Sequence, residues 1–157
     1  MALKNLAVIY DAEAASLRSV YVQSLPSARY GIIKKRLAYE EIGPVRLVTM
    51  VSAVEALARS VLVHCSSPTC SGIDDGYESF KRMEPVKLIR ALCSLKGLDQ
   101  PESQFSEDTW ELFSSAVVFR NLVVHECTFL GQDKYPSMIR AAEEVLEWVV
   151  REGGVCQ

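Results

Sequence analysis

Residues 106–125 read SEDTWELFSSAVVFRNLVVH, and this stretch decides the fold of the chain. Ser106 is a good helix N-cap, and the acidic Glu107 and Asp108 that follow suit the positive end of a helix. After Trp110, apolar residues occur on every side of the expected helix, so they cannot all face one direction. A helix of this kind lies at the centre of a domain or at a subunit interface. The stretch therefore predicts a central helix that ends near His125.

The rest of the chain has the same helical periodicity, and strand-like alternation between turn residues is nearly absent. Proline and glycine mark the boundaries of most segments. We expect further helices at about 6–25, 28–42, 44–64, 84–97 and 136–153, with loops at 66–76, 97–105 and 131–135. The predicted fold is all-α, a five- to six-helix antiparallel bundle that forms one domain over residues 1–157.

The charge balance limits the partners that the protein can attract. The net charge is −3 and 24% of the 157 residues are charged, so there is no general attraction for nucleic acid. Any RNA binding has to come from a local basic patch. The candidate is Lys34-Lys35-Arg36, with Arg29 nearby. Such a cluster is either a solvated helix face or a surface that follows the phosphates of RNA, and the solvated face is the favoured interpretation.

Cysteine usage and the N-terminus indicate the compartment. Five cysteines at irregular spacing make a poor disulfide framework. Residues 1–10 lack the apolar run of a signal peptide, and no segment approaches the roughly 18 apolar residues of a membrane span. We therefore expect a cytoplasmic protein with reduced thiols. A zinc site is not expected, because His64, Cys65 and Cys70 supply three ligands at most.

The end of the apolar stretch carries the candidate chemistry, which is Arg120, Asn121 and His125. An arginine can clamp a phosphate and a histidine can transfer a proton near neutral pH. Arg120 and His125 differ by about 140° in direction on a regular helix, so one helix does not bring them together. Asn121 and His125 are four positions apart and share a face. Two copies of the helix around a two-fold axis could pool both sets of groups in one cleft.

Arg120-Asn121-Leu122-Val123-Val124-His125 resembles the motif of the HEPN superfamily, in which arginine precedes histidine by four to six intervening residues and asparagine often follows the arginine. The segment 52–60, with Glu55, is similar to the earlier core helix of that family. The resemblance implies a metal-independent endoribonuclease that needs no cofactor, is usually dimeric, and serves in many cases as a toxin or as an effector of defence or stress systems.

The resemblance also assigns roles. His125 would act as general acid or base for attack by the ribose 2′-hydroxyl, Arg120 would stabilise the phosphorane, and Asn121 would orient His125 or the phosphate. Glu55 would support the site. The implied product is a 2′,3′-cyclic phosphate. The implied partners are RNA, a second copy of the chain, and a cognate antitoxin or nucleotidyltransferase.

Two alternatives remain open. Arg59 and His64 have the same spacing as Arg120 and His125; we favour the later pair because it has the asparagine and the central helix. Arg120 could instead be a buried arginine that is satisfied by a carboxylate such as Glu55, with His125 as an ordinary helix C-terminal histidine. The chain would then be a non-catalytic module that binds nucleotides, RNA or a protein.

Overall fold

Helices make up almost all of the computed structural model, which describes residues 3–66, 70–128, 131 and 133–155. Within these residues the chain forms no strand, which confirms the all-α class. The helices are α1 (Leu3–Gln23), α2 (Pro26–Leu37), α3 (Gly43–Ser66), α4 (Cys70–Phe80), α5 (Pro85–Lys96), α6 (Pro101–Gln104), α7 (Glu107–His125) and α8 (Tyr135–Glu152).

The described residues therefore form eight helices rather than the expected five or six. Two of them replace predicted loops. The α4 helix lies largely in the expected loop 66–76, where serine, glycine and aspartate suggested a turn. Its apolar residues Ile73, Tyr77 and Phe80 have helical spacing and pack against the buried Val22 and Val63, so tertiary burial outweighs the low helix propensity of the segment. The second, α6, is a single turn that begins at a proline.

The α2 helix ends earlier than expected. Its last residue is Leu37 and not a residue near 42. The backbone NH of Ala38 bonds to the Lys34 carbonyl and closes the last turn. The chain then crosses to Gly43, whose φ of 59° is a left-handed conformation that glycine adopts easily. The second helix and α3 are thus separated by an irregular connection, and the expected break at Gly43-Pro44 marks only the start of α3.

The α3 helix is the centre of the domain and packs against α2, α4, α5, α7 and α8. By length and composition it is apolar enough to cross a membrane, with a mean hydropathy of 1.5 over its most apolar window. However, 61% of that window is buried by the other helices, as in the core helix of a globular domain. The core side chains that α3, α7 and α8 contribute include Val51, Val54, Leu57, Val61, Phe113, Ala116, Ala142, Val145 and Val149.

The first half of α7 is held in the core, as its sequence predicts. The Ser106 hydroxyl accepts a hydrogen bond from the Thr109 backbone NH at 3.3 Å and so caps the helix. The Thr109 hydroxyl donates in turn to Glu144 of α8 at 2.7 Å. The second half of α7 lies at the surface and exposes Val118 and Leu122.

Candidate functional site

Glu55 on α3 is the charged centre of the candidate site. Its Oε2 lies 2.8 Å from Nη2 of Arg120 on α7, and its Oε1 lies 2.6 Å from Nη2 of Arg59. All three side chains are mostly buried, with 16% of Arg120, 14% of Arg59 and 21% of Glu55 exposed. The arginines of both motif copies therefore share one carboxylate, and the three groups together carry one net positive charge.

Arg120 uses only part of its hydrogen-bonding capacity. The ion pair with Glu55 occupies Nη2, while Nε is fully buried and has no partner. Nη1 forms no hydrogen bond to another described residue, and 16% of the side chain is exposed. Pairing with a carboxylate is the arrangement that a structural arginine would have. The free Nη1 is nevertheless able to donate to an anion that approaches from solvent.

His125 is the last residue of α7, and its side chain is exposed. Val118, Leu122 and His125 are spaced four and three residues apart and so lie on one face of α7. Asn121, half-buried, borders the same face. Arg120 points away from that face, toward α3, and no contact joins it to His125 among the described residues. One protomer thus presents the imidazole and the guanidinium on different sides of α7.

The earlier motif copy is packed more tightly than the later one. Arg59 donates through Nε to the Phe80 carbonyl at 3.3 Å in addition to its ion pair with Glu55. His64 is half-buried, and its Nε2 is fully buried without a partner. Nε2 of His64 is therefore shielded from solvent, whereas the side chain of His125 is exposed. This difference favours the later copy as the one that could act on a substrate.

The basic cluster of α2 does not act as one surface. Arg36 forms an ion pair with Glu41 and lies 3.3 Å from the Thr49 hydroxyl. Hydrogen bonds from Thr49 and Arg36 to the Glu41 carboxylate lower its pKa. Arg36 is thus committed to local structure, which leaves it less available for the alternative role in phosphate binding.

The remaining basic residues of the cluster have three different surroundings. Lys34 lies over the Tyr30 ring at 4.9 Å, and Lys35 is exposed. Arg29 faces the other way, into a cavity between α1 and α3 that also contacts Arg59. The sequence does not indicate that Arg29 and Arg59 line the same cavity, because they come from different helices and are 30 positions apart.

Metal-binding residues do not converge in the part of the chain that the structure describes. No three or more histidine, cysteine, aspartate or glutamate side chains are grouped there in a way that could hold a metal ion. Of the residues considered for zinc, the Cys70 side chain lies outside the described set. Cys65 is an exposed free thiol.

Comparison of the chain with family models, with curated proteins and with solved structures finds no match. What the protein does is therefore inferred from its own residues. The most informative of them are the mostly buried Arg120, the exposed His125, and the exposed apolar residues Val118 and Leu122.

Proposed function

We propose that this protein is a metal-independent endoribonuclease of HEPN type that acts as a cytoplasmic homodimer. The observation that carries the proposal is the position of His125. Its side chain is exposed at the end of α7, on the same face of the helix as the exposed apolar residues Val118 and Leu122. A proton-transfer group that borders an uncovered apolar stripe is what a site shared between two subunits requires.

The apolar stripe supports dimer formation through α7. Val118 is 57% exposed and Leu122 is 38% exposed, although both belong to a helix whose first half is buried in the core. Large apolar side chains at adjacent turns favour burial against a partner. In a two-fold dimer the same stripe meets its own copy, so the two His125 side chains come close to the axis. The cleft would then contain two imidazoles, and each could take a different protonation state.

The proposed reaction uses groups of this chain only. One His125, neutral, removes the proton from the ribose 2′-hydroxyl, and the 2′-oxygen forms a bond to phosphorus. The second His125, protonated, donates to the 5′-oxygen as its bond to phosphorus breaks. The products are a 2′,3′-cyclic phosphate and a 5′-hydroxyl end. Arg120 is held by Glu55 on the other side of α7 from His125, so it would act by fixing the helix that carries the imidazole and not by contact with the phosphorane.

The experiment is cleavage of a labelled single-stranded RNA in EDTA by wild-type protein and by His125→Ala and Arg120→Ala. Loss of a general acid or base costs about 10²- to 10⁴-fold in rate, so His125→Ala should fall by at least about 100-fold, and Arg120→Ala should also lower the rate. Arg140→Ala removes an exposed arginine on α8 and should cleave as wild type does. Activity that persists in both motif variants would exclude the proposal, because it would come from another site or from a contaminant.

A second candidate function is a non-catalytic helical module that binds RNA, a nucleotide or a protein such as a cognate antitoxin or nucleotidyltransferase. The ion pair between Arg120 and Glu55 favours it, because it gives Arg120 a structural role in the isolated protomer. The same RNA experiment separates the two functions. A dimeric wild-type protein that binds RNA or a partner and does not cleave RNA under any of these conditions would be the module.

A further inference from the structure

We infer that the cavity between α1, α2, α3 and α4 is a binding site for a phosphate monoester of a small molecule. The site is separate from Arg120 and His125, and the inference does not depend on the proposed nuclease. The cavity has a volume of about 210 Å³. It is lined by Tyr21, Val22, Arg29, Ala56, Arg59, Ser60, Val63 and Tyr77.

Ser60 provides the first argument for a ligand. Its side chain is only 8% exposed, and its Oγ is fully buried without a hydrogen-bond partner. A buried hydroxyl that lacks a partner costs free energy, and native proteins leave few such groups. Serines in helices often bond back to a carbonyl of their own helix, but this hydroxyl does not, and the residue that carries it is part of the cavity lining. An oxygen of a bound ligand would supply the missing partner.

Arg29 provides the second argument. It has no carboxylate partner among the described residues, and its guanidinium lies over the Tyr21 ring at 5.5 Å from the ring centre. Burial lowers the pKa of Arg29, and the nearby charge of Arg59 lowers it further. A half-buried cation beside a second cation is unfavourable unless an anion lies between them. Glu55 pairs with Arg59 from outside the cavity, but the cavity lining itself contains no acidic side chain, so Arg29 has no anion beside it there.

The chemistry of the donors suits phosphate. Arg29 has a guanidinium group that can bind phosphate oxygens through paired hydrogen bonds, Ser60 adds a hydroxyl donor, and Arg59, although it bonds to Glu55 and to the Phe80 carbonyl, adds a second positive charge to the lining. A doubly negative phosphate monoester would neutralise more of this charge than a carboxylate would. The resulting complex would satisfy the buried Ser60 hydroxyl and the two cations at once.

The rest of the cavity indicates that the phosphate carries an organic group. The rings of Tyr21 and Tyr77 lie 6.0 Å apart and form an aromatic wall. A second groove of about 410 Å³, bounded by α2 and α3, shares Arg29 and Ala56 with the first cavity. A ligand whose phosphate lies near Ser60 can therefore extend along the tyrosines or into this apolar groove. A nucleoside monophosphate has the required combination of a phosphate and a planar ring.

The test is isothermal titration calorimetry of the full chain with inorganic phosphate, adenosine 5′-monophosphate and adenosine. We expect binding of the monophosphate, weaker binding of inorganic phosphate and no binding of adenosine. Arg29→Gln should weaken monophosphate binding by about tenfold or more, which is the effect of about 1.4 kcal/mol. Arg140→Gln removes the same charge from an exposed position on α8 and should leave the affinity unchanged.

Ser60→Ala is the second variant, because it removes only the unpartnered hydroxyl and should not unfold the protein. A folded Ser60→Ala protein with weakened monophosphate binding supports the site. The inference is overturned if neither phosphate compound binds, if adenosine binds as well as its monophosphate, or if Arg140→Gln weakens binding as much as Arg29→Gln. Tighter binding of a 5′-phosphorylated RNA oligonucleotide than of the monophosphate would overturn the assignment to a small molecule.

Discussion

Arg120 on α7 and Glu55 on α3 are 65 positions apart in the chain and are joined by a 2.8 Å ion pair. The pair ties the motif helix to the central helix of the domain at the point where α7 leaves the core. Because Arg59 binds the other oxygen of the same carboxylate, the two arginine–histidine motifs of the sequence meet at one residue. Glu55 therefore affects the position of both arginines, and its removal would leave two mostly buried cations without an anion.

Glu55→Gln is expected to lower the free energy of unfolding by about 1–3 kcal/mol. This is less than the roughly 3–5 kcal/mol for breaking a fully buried ion pair, because the three side chains retain some contact with solvent. Urea denaturation followed by circular dichroism measures the change. Glu143→Gln, on the exposed face of α8, is the matched control and should be neutral. Equal stability of the two variants would show that Glu55 contributes nothing to the fold.

The double substitution Val118→Glu and Leu122→Glu is expected to convert a dimer into a monomer, because it places charges on the exposed stripe of α7. Sedimentation velocity measures the change in mass. Leu17→Glu on α1 is the control, since Leu17 is also large, apolar and 65% exposed. Dissociation by the α1 variant alone would place the interface on α1 and would separate His125 from it.

Two glycine substitutions are expected to have opposite effects on stability. Gly97 ends α5 with a φ of 66°, so Gly97→Ala should destabilise the protein by about 1 kcal/mol. Gly31 lies inside α2 with no atom within 4 Å of the added methyl group, so Gly31→Ala should stabilise it by about 0.4–1 kcal/mol. Thermal unfolding of both variants tests the pair, and a shift of both melting temperatures in the same direction would contradict it.

The phenol of Tyr77 is expected to lose its proton at a higher pH than an ordinary tyrosine does. Burial raises its pKa, and a hydrogen bond with Tyr21 raises it further. Because the pKa of Tyr77 is higher in the folded than in the unfolded protein, the neutral phenol contributes to the free energy of unfolding. This contribution is complete below about pH 10 and is lost as the pH rises through the pKa of the folded state. Phenolate absorbance between about pH 10 and 12 measures the titration.

In Tyr77→Phe the latest part of the phenolate titration should disappear, and stability should fall less steeply in the same pH range. Tyr39→Phe is the control, because Tyr39 is 69% exposed. If Tyr39→Phe removes the late part instead, the cavity does not shield Tyr77 from water.

Much of the fold follows from local sequence patterns. Ser106 and the acidic residues after it predict the start of α7, and Pro85 and Gly97 predict both ends of α5. These features act within one turn of the chain, so a sequence displays them directly. The α4 helix was missed because its stability comes from Ile73 and its neighbours packing against other helices, which outweighs the composition of the segment.

The candidate sites likewise combine features that the sequence predicts with features that it does not. The pairing of Glu55 with Arg120 was one of the expected alternatives, since a mostly buried arginine needs a carboxylate. The placement of Arg29, Arg59 and Ser60 around one cavity could not be predicted, because it depends on how α2 approaches α3. The separation of Arg120 from His125 followed from helix geometry, since five positions turn the helix by about 140°.

The hydrogen bond from Thr109 to Glu144 helps to hold α7 at one angle of rotation about its own axis. A straight helix transmits that angle along its length, and each residue advances it by about 100°. A shift of α7 by one position against α8 would therefore rotate His125 away from its present direction by that amount. The direction of the imidazole therefore depends in part on a hydrogen bond about 24 Å away along the helix, in addition to the nearer ion pair between Arg120 and Glu55.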